Sequence, residues 1–163
     1  MRRVIGVTIL AGTLALAAHG DPLLEDGSRV LFIGNSYTFY HRGLPRHLQD
    51  VCRAAPTPIE IKADMVTAGG KELTYLYEST DAVEKIRNGK WDLVILQGGF
   101  NAPVMKDKHE QFKETIRKFH KAITESGAQP VIWAVWEQKG HKPAWNIWNR
   151  ISTVTHEVAD ELE

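Results

Sequence analysis

Val30-Leu31-Phe32-Ile33-Gly34-Asn35-Ser36-Tyr37-Thr38 runs four apolar residues straight into a Gly-Asn-Ser turn. A short continuous apolar run closed by glycine reads as a strand covered on both faces. Glycine before serine suits a sharp strand-to-helix turn, which calls for unusual dihedrals and close backbone approach. Such a turn would present the Ser36 hydroxyl at the end of a buried strand, as a nucleophile, with the next amides aimed at the oxygen of whatever it attacks. One turn of this kind is weak evidence, so its partners must come from the rest of the chain.

Downstream, strand and helix patterns alternate with short turns between them, which favours a parallel α/β sheet. After the first strand, Arg29 to Ile33, the residues Leu44, Leu48, Val51 and Ala55 recur at helical spacing, with Pro45 in the first turn and Pro56 beyond the end. A second strand is expected from Ile59. Its apolar residues alternate with Glu60, Lys62 and Asp64, the mark of a half-exposed edge strand, and Gly69-Gly70 ends it. Short helices around Leu73 to Tyr77 and Asp81 to Asn88 lead to Trp91-Asp92 and the apolar third strand, Leu93 to Leu96. Phe112, Ile116, Phe119 and Ile123 mark a long helix that stops at Gly127. Pro130 introduces a fourth strand, Val131 to Trp136, of central composition, and Ile147, Ile151, Val154, Val158 and Leu162 form a last helical stripe. No fifth strand follows, which leaves the fourth with an unpaired apolar edge and gives the expectation that the chain is truncated.

The 163 residues suit one domain with a single core, and 20 basic side chains balance 20 acidic ones. A chain without basic excess lacks the electrostatic footprint of a nucleic-acid binder. The single cysteine, Cys52, excludes an internal disulfide framework and falls in a helical pattern where burial is expected. Arg2-Arg3 followed by an apolar run from Val4 to Ala18 reads as an export signal, with Ala15-Leu16-Ala17 as its small-residue cleavage site. The run is shorter than the roughly 20 residues that span a bilayer. Residues 1–20 are therefore assigned to a signal peptide and 21–163 to the folded domain, secreted or periplasmic, without a stable membrane span.

On this frame Ser36 follows the first strand, Gly69 and Gly70 the second, and Gly99-Phe100-Asn101 the third. In open α/β sheets, ligands bind at that edge, outside the carboxyl ends of the strands. A serine, a glycine amide and an asparagine side chain are the parts of a nucleophile with an oxyanion hole.

Leu31 to Ser36 and Trp91-Asp92-Leu-Val-Ile-Leu-Gln97 resemble the SGNH (GDSL-like) hydrolase superfamily, in particular a branch of bacterial hydrolases beginning Leu-Phe-Ile-Gly-Asn-Ser. The resemblance spans most of the chain after the leader and implies a flavodoxin-like three-layer α/β/α sandwich. It makes Ser36 the catalytic nucleophile, its own amide and that of Gly70 oxyanion donors, and Asn101 the third donor, with Gln97 as the alternative. Asn35 stands where the commoner form has aspartate, and Ala102 where an aspartate usually follows the asparagine. The late Asp-x-x-His block that supplies the base is missing from residues 137–163. Without it Ser36 keeps an ordinary hydroxyl, so the chain is expected to have little esterase activity. His141, oriented by Glu137, is the conceivable substitute base against a solvated loop histidine.

The implied substrate is a small or carbohydrate-linked ester. Trp136, Trp145 and Trp148 could stack on sugar rings, though large aromatics more often fill core, and Tyr37 and Phe39 could line an acyl pocket or pin the first helix. His156-Glu157-Val-Ala-Asp160 resembles a zincin helix superficially but lacks a third ligand, so neither metal nor cofactor is expected. Two alternatives remain: a non-catalytic SGNH-like ligand-binding module, and a flavodoxin-like phosphate or cofactor binder using the Gly34 to Thr38 turn.

Overall fold

The computed structural model describes residues 22–99, 105–135 and 147–162, with the side chains of 106 and 147–150 left out of the description. Its first strand, β1 (Arg29–Gly34), is the decisive apolar run, buried from Val30 onward. It leads through Asn35 into a single helical turn, α1 (Ser36–Phe39), and then α2 (Leu44–Ala54), which has Pro45 in its first turn, where the missing N–H costs nothing. The remaining strands and α-helices are β2 (Lys62–Thr67), α3 (Leu73–Ser79), α4 (Ala82–Asn88), β3 (Leu93–Gln97), α5 (His109–Glu125), preceded by a 3-10 turn (Lys106–Lys108), β4 (Gln129–Trp133) and α6 (Ile147–Asp160).

The strands form one parallel sheet in the order β2-β1-β3-β4, so β1 and β3 are central, as their unbroken apolar runs require. Helix α2 packs on one face, with Leu44, Leu48 and Cys52 against Val30, Phe32 and Leu93. Helices α3 to α6 cover the other, where Leu76, Ile86, Phe119 and Val158 meet Leu31, Ile33, Val94 and Leu96. These are the three layers of an α/β/α sandwich. Burying each large aliphatic or aromatic side chain contributes about 1.5–3 kcal/mol, and Phe119, fully buried edge-on to Tyr77, is the centre of the thicker layer.

Two strand boundaries differ from the sequence pattern. Strand β2 begins at Lys62 rather than Ile59, because Asp26 Oδ1 accepts from Glu60 N–H (2.8 Å) and Glu60 C=O accepts from Gly27 N–H (2.7 Å), holding that stretch outside the ladder. Strand β4 runs from Gln129 to Trp133 instead of Val131 to Trp136, and Pro130 stands opposite Val94 within it. A proline is tolerated there because β4 is an edge strand among the described residues. Its residues Pro130 to Trp133 are half-buried, less covered than the central composition suggested. A cleft of about 380 Å³ opens beside it, lined by Ile116, Ile132, Ala159 and Leu162 with His120 and His156.

Trp91 and Asp92 secure the end of the sheet opposite the serine turn. The Trp91 indole donates to Lys85 C=O (2.7 Å) and carries the Arg29 guanidinium over its ring, while Asp92 Oδ2 accepts from Arg29 N–H (2.7 Å). The third strand is thereby registered against the first before either reaches Ser36.

Candidate active site

Ser36 is the first residue of α1 and is half-buried. Asn35 caps the turn: its Oδ1 accepts from Tyr37 N–H (3.2 Å) and its C=O from Thr38 N–H (2.9 Å). This is a side-chain N-cap, which satisfies amides that a helix start leaves orphaned. Ser36 N–H takes part in none of these bonds, and among the described residues no side chain accepts from Ser36 Oγ.

The glycine before the serine is required for space. Gly34 has no positive φ, so the expected unusual dihedral is not what it supplies. A Cβ there would stand 2.3 Å from Thr38 Oγ1, 2.6 Å from Gln97 Oε1 and 2.9 Å from Gln97 Cβ. Close approach alone demands the glycine.

The second strand delivers Gly69 and Gly70 beside this turn, because β2 pairs with β1 up to Gly34 and Thr67 and Ala68 N–H then donates to Gly34 C=O (3.2 Å). Gly70 takes φ +68°, a left-handed conformation that favours glycine, and is exposed with open space where a side chain would go. Gly69 faces the Phe39 ring. Asn35 Nδ2 donates to Lys71 C=O (3.2 Å), stapling the serine turn to the glycine turn.

From β3, Gln97 reaches under the same turn. It is 1% exposed, and its Oε1 accepts from both Asn35 N–H (2.9 Å) and Thr38 Oγ1 (3.0 Å), while its Nε2 donates to Gly98 C=O. The Glu72 carboxylate lies against Gly99, so a Cβ at that position would require the Glu72 side chain to move aside.

Three loop segments thus meet at the carboxyl edge of the sheet: 34–38, 69–72 and 97–99. Asn101, His141, Glu137, Trp136, Trp145 and the Trp148 side chain lie outside the described residues. Tyr37 packs against Val135 and Ile151, which ties the serine turn to the β4 exit and to α6. His156 Nδ1 lies 2.7 Å from Ser152 C=O on its own helix, and among the described residues no group of three acidic, histidine or cysteine side chains is placed to hold a metal ion. Sequence reasoning missed Thr38 and Lys71. Thr38 could have been noticed as a β-branched hydroxyl two residues after the serine, whereas a backbone carbonyl such as that of Lys71 leaves no signal in residue type.

No family profile matches this sequence, and no curated protein matches it either. Solved structures do. A mutant of an acetyl-xylooligosaccharide esterase from Geobacillus stearothermophilus superposes with TM-score 0.67 at 18% identity, over 86% of this chain and 75% of that one. The acetyl xylan esterase AlAXEase gives 0.65 at 15% identity, over 82% and 73%. A provisionally assigned SGNH hydrolase from Slackia heliotrinireducens gives 0.62 at 21% identity, over 83% and 76%. The chain therefore has the SGNH hydrolase fold.

Proposed function

We propose that the chain is a serine-dependent ester hydrolase of the SGNH type, acting through an acyl-enzyme on a small or carbohydrate-linked ester. The observation that carries this reading is the convergence of the Ser36 turn, the Gly70 turn and the end of β3, joined by the bonds from Asn35 Nδ2 to Lys71 C=O and from Asn35 N–H to Gln97 Oε1. Ser36 Oγ attacks the ester carbonyl carbon and loses its proton to a base. The carbonyl electron pair moves onto oxygen, which accepts from Ser36 N–H, Gly70 N–H and the Asn101 side chain; collapse of the intermediate breaks the bond to the leaving oxygen, which takes up the proton the base received and departs as the alcohol, and water then attacks the acyl carbon, breaking its bond to Ser36 Oγ to give the acid and the restored hydroxyl. Acetylated carbohydrate is the preferred substrate class, since two of the structural neighbours are acetylxylan-type esterases. An exported protein with the expected leader would meet such polymers outside the cell. Among the described residues no helix is long and apolar enough to cross a membrane.

The 163 residues alone are proposed to work slowly. Residues 137–163 contain no Asp-x-x-His, and no described side chain accepts the Ser36 proton. Base activation is worth several orders of magnitude, so an unassisted serine retains only what the oxyanion donors and binding supply.

p-Nitrophenyl acetate turnover tests both statements. Weak turnover that vanishes in Ser36→Ala is expected. Equal rates in wild type and Ser36→Ala would remove the nucleophile, whereas strong turnover lost in His141→Ala would make His141 the base and overturn the slow-enzyme reading.

A further inference from the structure

We infer that Gln97 is a positioning residue, whose buried amide oxygen holds the Ser36 turn from the neighbouring strand and whose amide hydrogens are thereby turned away from the substrate. The inference rests on Ser36 being the nucleophile. Asn35 N–H is a backbone donor and can face only an acceptor, so the Gln97 atom 2.9 Å from it is Oε1. The Thr38 hydroxyl donates to that same oxygen at 3.0 Å. At the other end Nε2 meets a carbonyl, that of Gly98, which can only accept. Both ends therefore fix the same amide orientation.

The residues so held flank the nucleophile, one before Ser36 and one two positions after it. Gly34 completes the clamp by letting the turn descend onto the glutamine. Tilting the serine turn would break both bonds to Oε1 at once and bury two unsatisfied donors, Asn35 N–H and the fully buried Thr38 hydroxyl. A misplacement of about 1 Å at a reacting group costs roughly 100-fold in rate. Gln97 thus acts through the serine turn and makes no contact with the reacting ester, and the third oxyanion donor comes from elsewhere on the edge.

The test combines a structural and a chemical readout on the whole chain. Gln97→Met removes the acceptor at similar length, and Gln97→Glu, compared with wild type at a pH where its buried carboxyl is protonated, keeps an acceptor oxygen and a hydroxyl donor toward Gly98 C=O. Amide hydrogen exchange should show Asn35 N–H protected in wild type and Gln97→Glu and unprotected in Gln97→Met. Fluorophosphonate labelling of Ser36, followed by mass over hours, should slow about 10–100-fold in Gln97→Met and recover to within about 5-fold of wild type in Gln97→Glu. Thr38→Val should slow labelling by itself and add little on top of Gln97→Met, because both cut the same contact. Should Gln97→Met fail to fold, Thr38→Val against Thr38→Ser decides by the same two readouts. Labelling slower in Gln97→Glu than in Gln97→Met, or an Asn35 amide indifferent to Gln97, overturns the inference. Absence of wild-type labelling would instead strike the nucleophile assignment, and the exchange result would still stand.

Discussion

Replacing Gly34 with alanine puts a methyl group into space that two other residues already fill. The new Cβ would be 2.3 Å from Thr38 Oγ1 and 2.6 Å from Gln97 Oε1, the two atoms that hydrogen-bond each other beneath the serine turn. Both could swing aside only by giving up buried bonds, at roughly 0.5–1.5 kcal/mol each. Gln97 Cβ, at 2.9 Å, cannot swing at all, since it is fixed to the β3 backbone; the two central strands must spread. Overpacking of this kind costs about 1–3 kcal/mol, and the stiffer unfolded chain of the alanine variant offsets about 0.4–1 kcal/mol. A net loss of about 2–4 kcal/mol follows. Urea unfolding measures it: for a slope of about 2 kcal/mol per M, the midpoint falls by about 1–2 M with little change in slope. Gly70→Ala is the control, because its φ of +68° carries only a left-handed strain of about 1–2 kcal/mol with nothing to collide with. A Gly34→Ala midpoint equal to that of wild type would refute the packing argument.

Asn35→Asp tests why this chain departs from the commoner Gly-Asp-Ser form. A carboxylate cannot donate to Lys71 C=O as Asn35 Nδ2 does, so the variant should lose about 1–3 kcal/mol at neutral pH. Once protonated, the carboxyl donates to that carbonyl again while its other oxygen keeps the bond from Tyr37 N–H. The deficit should therefore be small below about pH 4 and grow as pH rises, in chemical denaturation at several pH values; a deficit independent of pH would sink it. Between the two helices that follow β3 and β4, Lys113 pairs with Glu157 (2.7 Å) and Arg117 with Glu161 (2.5 Å), clasping α6 to α5. The hydrogen bond from Arg117, aided by the charges of Arg117 and Lys113 and opposed by burial, lowers Glu161 below the ordinary 4.5. Its contribution is present above that value and is lost as pH falls through the lowered one. The bond to Glu157, opposed by burial, raises Lys113 above 10.5, so its contribution is present below 10.5 and is lost as pH climbs through the raised value. Exchange of α6 amides, measured against those of β1, should rise at both extremes, and exchange flat across the whole range would contradict the clasp.

The sheet was legible because its signals are local. The unbroken apolar run of β1, the alternation of β2 and the stripes of α5 and α6 each report burial through residue type and period. Positions decided by a distant partner were not. The start of β2 depends on a carboxylate at Asp26, and the need for glycine at 34 arises from Gln97, far along the chain on another strand. Gln97 itself looked like a donor at a strand end. Only the facing amide of Asn35 shows that its oxygen points toward the turn. Trp91-Asp92, which marked the resemblance as strongly as the serine did, binds Lys85 and Arg29 at the opposite end of the sheet, so its contribution is to register.

The central claim is that Ser36 is the nucleophile of this edge. Its most direct test is intact and peptide mass after prolonged exposure to a fluorophosphonate. The account requires one adduct, mapped to Ser36 and absent from Ser36→Ala, with folding of that variant unchanged. An adduct on another residue, or equal labelling of the two proteins, would contradict it.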